Sequence, residues 1–147
     1  MRGILGKAGK GLRITAPFWC DYGYNIFVGD DFYSNHNLVI LDCAPITFGD
    51  HVFIAPNCCF SAAGHPLDVE QRNAGLEIAL PITVGSSVWI GAGVTVLPGV
   101  TIGDNTVIGA GSVVTRDIPS GVVAVGNPCR VLREITEEDK HKYKLAP

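Results

Sequence analysis

Residues 84–119 divide into six consecutive hexads, VGSSVW, IGAGVT, VLPGVT, IGDNTV, IGAGSV and VTRDIP, with no insertion between them. Every hexad begins with Val or Ile, and its second residue is Gly in four of the six. A helical period of about 3.6 residues cannot reproduce this spacing. The repeat therefore predicts short β-strands that are separated by two-residue turns.

A chain with this period is expected to wind into a solenoid. Each hexad forms one side of a prism, successive turns stack as parallel ladders, and the inward β-branched side chains merge into one core. A single turn cannot bury its own apolar face, so many repeats and a cap at each end are required. The predicted fold class is all-β.

The same pattern continues toward the N-terminus in a less regular form. Residues 28–45 read VGDDFY, SNHNLV and ILDCAP, and residues 48–65 read FGDHVF, IAPNCC and FSAAGH, with a slip of two residues between the runs. The hexads then disappear over about 62–81, which predicts an extended loop. Long loops on a rigid scaffold often display functional residues, and His65 stands at the start of this one.

The repeat also ends before the C-terminus. It dissolves after Gly121, and Thr136 with Asp139 three residues later is typical of a helix start, which predicts a short, charged C-terminal helix. We therefore expect a single domain over residues 1–147, with an N-terminal cap and first coil over 1–27. The β-helix is expected over 28–122, and the C-terminal extension with its helix over 123–147.

The composition limits the classes of function. The 147 residues are 47% hydrophobic and 17% charged, which suits one domain with a sizeable core. The net charge is −3 and there is no long run of Lys or Arg, so nucleic acid is not an expected partner. No uncharged apolar stretch reaches the roughly 18 residues of a membrane span, and no signal peptide is recognisable, so no membrane partner is expected.

The five cysteines, at positions 20, 43, 58, 59 and 129, form no C-x-x-C motif and lie among apolar neighbours. An odd number of cysteines without such spacing favours small core residues over a disulfide framework. A reducing cytoplasm is therefore the expected location.

Several segments resemble the maltose and galactoside O-acetyltransferases. Besides the hexads, they are CDYGYNI (20–26), GHP (64–66), PIT (81–83), VWIG (88–91) and NPCRVLREI (127–135), and the similarity covers about Gly11 to Tyr143. The resemblance implies a left-handed parallel β-helix, which is an exception to the right-handed crossover rule for parallel strands. It also implies a homotrimer with active sites between neighbouring subunits.

The activity that the resemblance implies is transfer of acetyl from acetyl-CoA, as co-substrate, to a hydroxyl of a sugar or glycoside, with no metal. The family usually has a helical region before the coil that contributes to the acceptor pocket. This sequence opens directly on Met1-Arg2-Gly3-Ile4-Leu5, so the identity of the small-molecule acceptor stays open.

Three alternatives share the solenoid. They are a related acetyltransferase with a serine or antibiotic acceptor, a non-catalytic scaffold, and a γ-type carbonic anhydrase. The last of these needs three imidazoles for its zinc, two of them five positions apart on one coil. No two histidines in this sequence have that spacing, which disfavours the zinc enzyme.

Acetyl transfer to an alcohol needs a base, because a neutral alcohol is a poor nucleophile, and histidine has the best-placed pKa. Of His36, His51, His65 and His141, only His65 heads the loop and matches the catalytic position of the family. With no covalent nucleophile motif, direct attack in a ternary complex is expected. The resemblance places the backbone N–H of Ala92 at the oxyanion of the tetrahedral intermediate.

The resemblance also assigns two groups of binding residues. Those expected to contact the acceptor are Asp21, Tyr33, Asn35 and Asp42. Those expected along the coenzyme groove, with the cations on its phosphates, are Trp89, Ala92, Ala110, Thr115, Arg116, Arg130 and Arg133. The residue after Asp42 is acidic in the galactoside enzymes and is Cys43 here, and Glu77 receives no role.

Overall fold

The computed structural model describes residues 3–143 as a coil of short parallel strands with three faces. Face A consists of β1 (Lys7–Ala8), β4 (Ile26–Val28), β7 (Ile46–Phe48), β12 (Ile82–Val84) and β15 (Thr101–Ile102). Face B consists of β2 (Arg13–Ile14), β5 (Tyr33–Ser34), β8 (Phe53–Ile54), β13 (Trp89–Ile90), β16 (Val107–Ile108), β18 (Val122–Val125) and β19 (Arg130–Glu134). Face C consists of β3 (Phe18–Cys20), β6 (Leu38–Leu41), β9 (Cys59–Ser61), β14 (Thr95–Val96) and β17 (Val113–Val114).

The chain visits the faces in the order A, B, C. From the second coil to β18, each strand pairs in parallel with the strand one coil earlier on the same face, and only β19 among the strands of the three faces described here is antiparallel to its neighbour. The first and fifth residues of each hexad point inward and the sixth points outward. The buried first residues are Val84, Ile90, Val96, Ile102, Ile108 and Val114, each no more than 1% exposed. The predicted parallel β-solenoid is therefore confirmed, because a period of six returns the same side chain to the core on every face.

The glycine at the second hexad position has a steric cause. A Cβ on Gly91 would lie 2.6 Å from the backbone nitrogen of Ala110 on the next coil, which is closer than any side chain tolerates. The coils can stack at this point only because glycine lets the two backbones approach each other.

The corner between faces A and B is held by a ladder of side chains. Asp30 accepts the N–H of Lys10 at 2.7 Å, and Asp50 accepts the N–H of Asp30 at 2.7 Å. Ser86 Oγ then accepts the N–H of Asp50 at 3.0 Å, and Asp104 accepts the N–H of Ser86 at 2.7 Å. Each Asp or Ser thus satisfies a donor of the preceding coil that the short strands leave unpaired.

The predicted loop leaves the coil after face C, and it has secondary structure of its own that the hexad pattern did not predict. It begins and ends with an antiparallel pair, β10 (Ala63–Gly64) and β11 (Ile78–Ala79), and contains α1 (Val69–Asn73). Asp68 caps this helix by accepting the N–H of Gln71 at 2.9 Å. Arg72 closes the loop because its Nη1 donates to the carbonyls of Pro66 and Leu67 at 3.1 and 2.9 Å.

The C-terminal extension folds back over the last coil. Strand β19 is antiparallel to β18, and a 3-10 helix, Glu137–His141, follows it. The predicted start is confirmed, since the N–H of Thr136 donates to Asp139 Oδ2 at 2.9 Å. This helix is only five residues long, and none of its side chains is buried. Residues 1–2 and 144–147 of the predicted caps lie outside the described residues.

None of the helices within residues 3–143 is long and apolar enough to cross a membrane.

For two buried serines in the coil, substitution by Ala is expected to change the free energy of unfolding in opposite directions. Ser34 Oγ has no hydrogen-bond partner in the described part of the chain, whereas Ser112 Oγ donates to the Gly109 carbonyl at 2.6 Å and accepts the Gly126 N–H at 2.9 Å. We expect Ser34→Ala to raise the free energy of unfolding by about 1 kcal/mol and Ser112→Ala to lower it by about 1–2 kcal/mol. Urea denaturation measures both, and a loss of stability in Ser34→Ala contradicts this account.

Candidate active site

The loop and several predicted site residues share one corner of the coil. The segments that link face C to face A, here called the C–A corner, are residues 21–25, 42–45, 62–81, 97–100 and 115–117. Asp21, His65, Thr115 and Arg116 are exposed on these segments. The solenoid therefore brings these four residues to the same corner, although they are far apart in the sequence.

His65 is exposed at the foot of the loop, and the loop orients its ring. Its Nδ1 lies 3.1 Å from the carbonyl oxygen of Leu76, which lies two residues before β11. Because a carbonyl only accepts hydrogen bonds, this contact places the proton of the neutral ring on Nδ1 and leaves the lone pair on Nε2. The pairing of Gly64 with Ile78 in β10 and β11 sets the distance.

Asp42 differs from its predicted role. It is fully buried, and its Oδ1 accepts the N–H groups of Asp21 and Tyr22 at 3.1 and 2.9 Å. Its Oδ2 accepts those of Gly23 and Asn25 at 2.7 and 3.3 Å. Both oxygens are occupied by the main chain, so the carboxylate shapes the 21–25 segment and is not open to an acceptor.

Cys43 and Glu77 also lie at the C–A corner, although the sequence analysis assigned them no role. The thiol of Cys43 donates to Asp21 Oδ2 at 3.4 Å. Partial burial raises the pKa of the Cys43 thiol, and the hydrogen bond and charge of Asp21, followed by the negative charge of Glu77, raise it further. Glu77 therefore lies close enough to Cys43 for its charge to act on the thiol, a proximity that depends on how the loop folds back and leaves no signal in the sequence.

Tyr33 and Asn35 lie elsewhere on the coil. Tyr33 points outward from face B, with its ring centroid 6.5 Å from that of Phe53 and 5.6 Å from the guanidinium carbon of Arg13. Asn35 lies on the segment that links face B to face C, here called the B–C corner, where it accepts the N–H of His36 at 2.7 Å. One copy of the chain therefore does not bring Tyr33 and Asn35 together with Asp21 and His65.

Ala92 lies at the B–C corner as well, in an exposed turn. The flanking N–H groups serve the coil, since Gly91 donates to Ile108 at 2.8 Å and Gly93 donates to Pro56 at 2.9 Å. Between them, the N–H of Ala92 has no acceptor within residues 3–143. Ala110, one coil further on, is exposed at the same corner. An unpaired, exposed N–H on a rigid turn can stabilise an oxyanion.

The outward side chains of face B form a row that ends in a cation. Strand pairing aligns Trp89 with Val107, Val107 with Val123, and Val123 with Arg133. Together with the C-terminal turn, these residues enclose a cavity of about 250 Å³. Its lining residues are Trp89, Val107, Val123, Arg133, Ile135, Asp139, Lys142 and Tyr143.

The predicted phosphate-binding arginines differ in their contacts. Arg133 forms a bidentate ion pair with Asp139. The hydrogen bonds from Arg133, and to a smaller extent the one from the Thr136 N–H, hold the pKa of the Asp139 carboxyl well below its usual range. Arg130 donates from Nη1 to the Cys129 carbonyl at 2.7 Å. Arg116 is exposed, without a salt bridge in the described part of the chain. The structure therefore separates Thr115 and Arg116, at the C–A corner, from the other coenzyme residues.

All five cysteines are free, and burial raises the pKa of the Cys58 and Cys129 thiols. No group of three or more His, Cys, Asp or Glu side chains is placed to hold a metal ion in residues 3–143.

Comparison with known proteins gives consistent matches. The family model for the bacterial transferase hexapeptide (six repeats) matches residues 81–116. The sequence is 60% identical over 139 residues to the Saccharomyces cerevisiae protein YJL218W, covering 95% of this chain and 71% of that protein. It is 50% identical over 140 residues to the galactoside O-acetyltransferase of Escherichia coli, covering 95% and 69%.

Solved structures agree with the sequence relatives. A galactoside acetyltransferase in complex with coenzyme A superposes with a TM-score of 0.95 at 50% identity, over 98% of this chain and 72% of that one. A maltose O-acetyltransferase from Clostridium difficile superposes with a TM-score of 0.91 at 51% identity, over 92% and 73%. The fold, the repeat and these identities together show that the chain belongs to the hexapeptide-repeat acetyltransferases, in the group of the galactoside and maltose O-acetyltransferases.

Proposed function

We propose that the protein transfers acetyl from acetyl-CoA to a hydroxyl of a sugar or glycoside, with His65 as the general base. The observation that carries this proposal is the contact between His65 Nδ1 and the Leu76 carbonyl, because it leaves Nε2 free and exposed to take a proton. The coenzyme A complex of the related galactoside acetyltransferase supports the choice of acyl donor.

The proposed reaction uses two groups, the His65 imidazole and the backbone N–H of Ala92. His65 Nε2 removes the proton of the acceptor hydroxyl as its oxygen attacks the thioester carbonyl carbon, and the C–O bond forms. The N–H of Ala92 donates to the oxyanion of the tetrahedral intermediate. The intermediate collapses with cleavage of the C–S bond, and the imidazolium returns its proton to the departing thiolate. The products are the acetyl ester and coenzyme A.

The two halves of this machinery lie at different corners of one chain, which supports a homotrimer. His65 and Asp21 lie at the C–A corner, whereas Ala92 and Asn35 lie at the B–C corner. The loop also carries Leu67, which is 96% exposed in a single chain. In the proposed trimer the loop of one copy packs beside the B–C corner of the next, so that each active site lies between two subunits.

The acceptor is proposed to bind at the C–A corner beside His65, with the Asp21 carboxylate accepting hydrogen bonds from its hydroxyl groups. Glu77 is a second acceptor of such bonds. Two exposed rings, Tyr22 and Tyr24, have centroids 5.2 Å apart on the same segment and offer an apolar surface for a sugar ring. Across the subunit boundary, Tyr33 and Asn35 complete the set.

Acetyl-CoA is proposed to lie along face B, where Trp89 and the valine row contact its pantetheine arm and Ala110 flanks it. Arg130 and Arg133 bind its phosphates, because guanidinium groups donate paired hydrogen bonds to phosphate oxygens. Thr115 and Arg116 approach it from the C–A corner.

We also propose a reducing, cytoplasmic location, which the five free thiols support.

Thiol release from acetyl-CoA tests the proposed activity. The purified chain is incubated with acetyl-CoA and a panel of glucosides, galactosides, maltose, serine and chloramphenicol, and free coenzyme A is measured. We expect release that depends on a sugar or glycoside. Release with serine or chloramphenicol alone assigns a different acceptor class, and failure to bind acetyl-CoA supports a non-catalytic scaffold.

A further inference from the structure

Arg133 is held in place by three hydrogen bonds. Its Nη1 donates to Asp139 Oδ2 at 2.8 Å and to the Glu134 carbonyl at 2.9 Å, and its Nη2 donates to Asp139 Oδ1 at 2.8 Å. A guanidinium carries five N–H donors, so two remain. These are the Nε–H and the second N–H of Nη2, which lie on one edge of the group and have no acceptor within residues 3–143.

An edge with two parallel donors suits phosphate recognition. Guanidinium groups bind phosphate through such paired N–H groups, which gives both strength and a defined orientation. Arg133 also lines the 250 Å³ cavity, where Trp89 and Tyr143 contribute rings and Lys142 a further cation. Arg133, with this unused pair of donors, therefore lines a cavity that also contains aromatic rings and a second cation.

We propose that Asp139 is a positioning residue for acetyl-CoA binding, which holds the Arg133 guanidinium so that its unused Nε–Nη2 edge receives a phosphate. This inference rests on the proposed function, in which Arg133 binds the coenzyme. An arginine side chain has many rotamers, and fixing one of them before the ligand arrives removes an entropic cost from binding.

Simple electrostatics predicts the opposite effect of Asp139. Its carboxylate is negative and stands beside Arg133, so repulsion of a phosphate would weaken coenzyme binding, and removing the charge would strengthen it. Positioning and repulsion therefore predict opposite signs for one substitution. The sign of the change in affinity decides between them.

The test is Asp139→Asn, which preserves the size of the side chain but loses the charge and one of the two acceptor oxygens facing Arg133. We expect the Kd for coenzyme A, measured by titration calorimetry, to rise about 3- to 10-fold, as expected for freeing one arginine side chain. The KM for acetyl-CoA is expected to rise by a similar factor while kcat changes little. An unchanged or lower Kd overturns the positioning role.

The matched control is Glu137→Gln, since Glu137 pairs with Lys140 on the same turn but does not contact Arg133. It is expected to leave the Kd unchanged, and an equal rise there would assign the effect to the fold of the turn and overturn the proposal.

A second comparison shows whether Asp139 acts through Arg133. In an Arg133→Ala background, Asp139→Asn is expected to change the Kd no further, because the positioned group is gone. An additional rise of the same size overturns the proposal. If the unaltered chain binds no coenzyme, the proposed function itself fails. If it binds coenzyme and Asp139→Asn binds equally well, only the positioning role fails.

Discussion

Replacing His65 by Ala is expected to lower turnover by at least about 10²-fold, the usual contribution of a positioned general base. The reason is that His65 is the only histidine on the described segments of the C–A corner. Its contact with the Leu76 carbonyl through Nδ1 orients the ring and leaves Nε2 to accept the proton. The Kd for acetyl-CoA is expected to stay nearly constant, because the ring is exposed at the foot of the loop. Steady-state thiol release and calorimetry measure the two quantities.

His51→Asn is the matched control for this substitution. His51 is also exposed but lies at the corner between faces A and B, where its ring approaches Asp31 Oδ2 at 3.5 Å. Its backbone is left-handed, with φ 55°, and Asn tolerates that conformation well. Turnover should be unchanged in this variant. A His65→Ala enzyme that retains turnover within about threefold of the unaltered protein would exclude the general-base role, given the size of effect expected.

Replacing Asp42 by Ala is expected to cost about 3–5 kcal/mol of the free energy of unfolding, because it removes the partner of four buried or half-buried N–H groups at once. Those donors belong to Asp21, Tyr22, Gly23 and Asn25, and within residues 3–143 the Asp42 carboxylate is the acceptor of all four. Activity should fall as well, since Asp21 and the two tyrosines lie on the same segment. Urea denaturation measures the loss of stability.

Asp42→Asn keeps this prediction measurable if the Ala variant does not fold. One oxygen remains, but the amide NH₂ then faces backbone donors, so an intermediate loss of about 2–3 kcal/mol is expected. Asp50→Ala is the comparison, because it removes an exposed carboxylate that accepts a single N–H, with an expected loss of about 1 kcal/mol. Equal losses in Asp42→Ala and Asp50→Ala would contradict the structural role of Asp42.

The hexad spacing alone determined the solenoid, the inward and outward positions and the place of the loop. A strict period carries this information because each residue's environment repeats every six positions, so Val84 and Ile102 share a face whatever the rest of the chain does. The GHP motif, through its resemblance to the family, made His65 the predicted base, and Thr136 marked the start of the last helix. These features depend on local pattern, which can be read along the chain.

Contacts across a corner depended on the tertiary structure. Leu76 reaches His65 only because β11 pairs with β10, and Asp42 is structural only because the 21–25 segment of the preceding coil wraps over it. Asp139 forms its ion pair with Arg133 because the C-terminal turn folds back on β19. In each case the partners are set by how an irregular segment returns to the coil, and an irregular segment has no period from which its partners can be predicted.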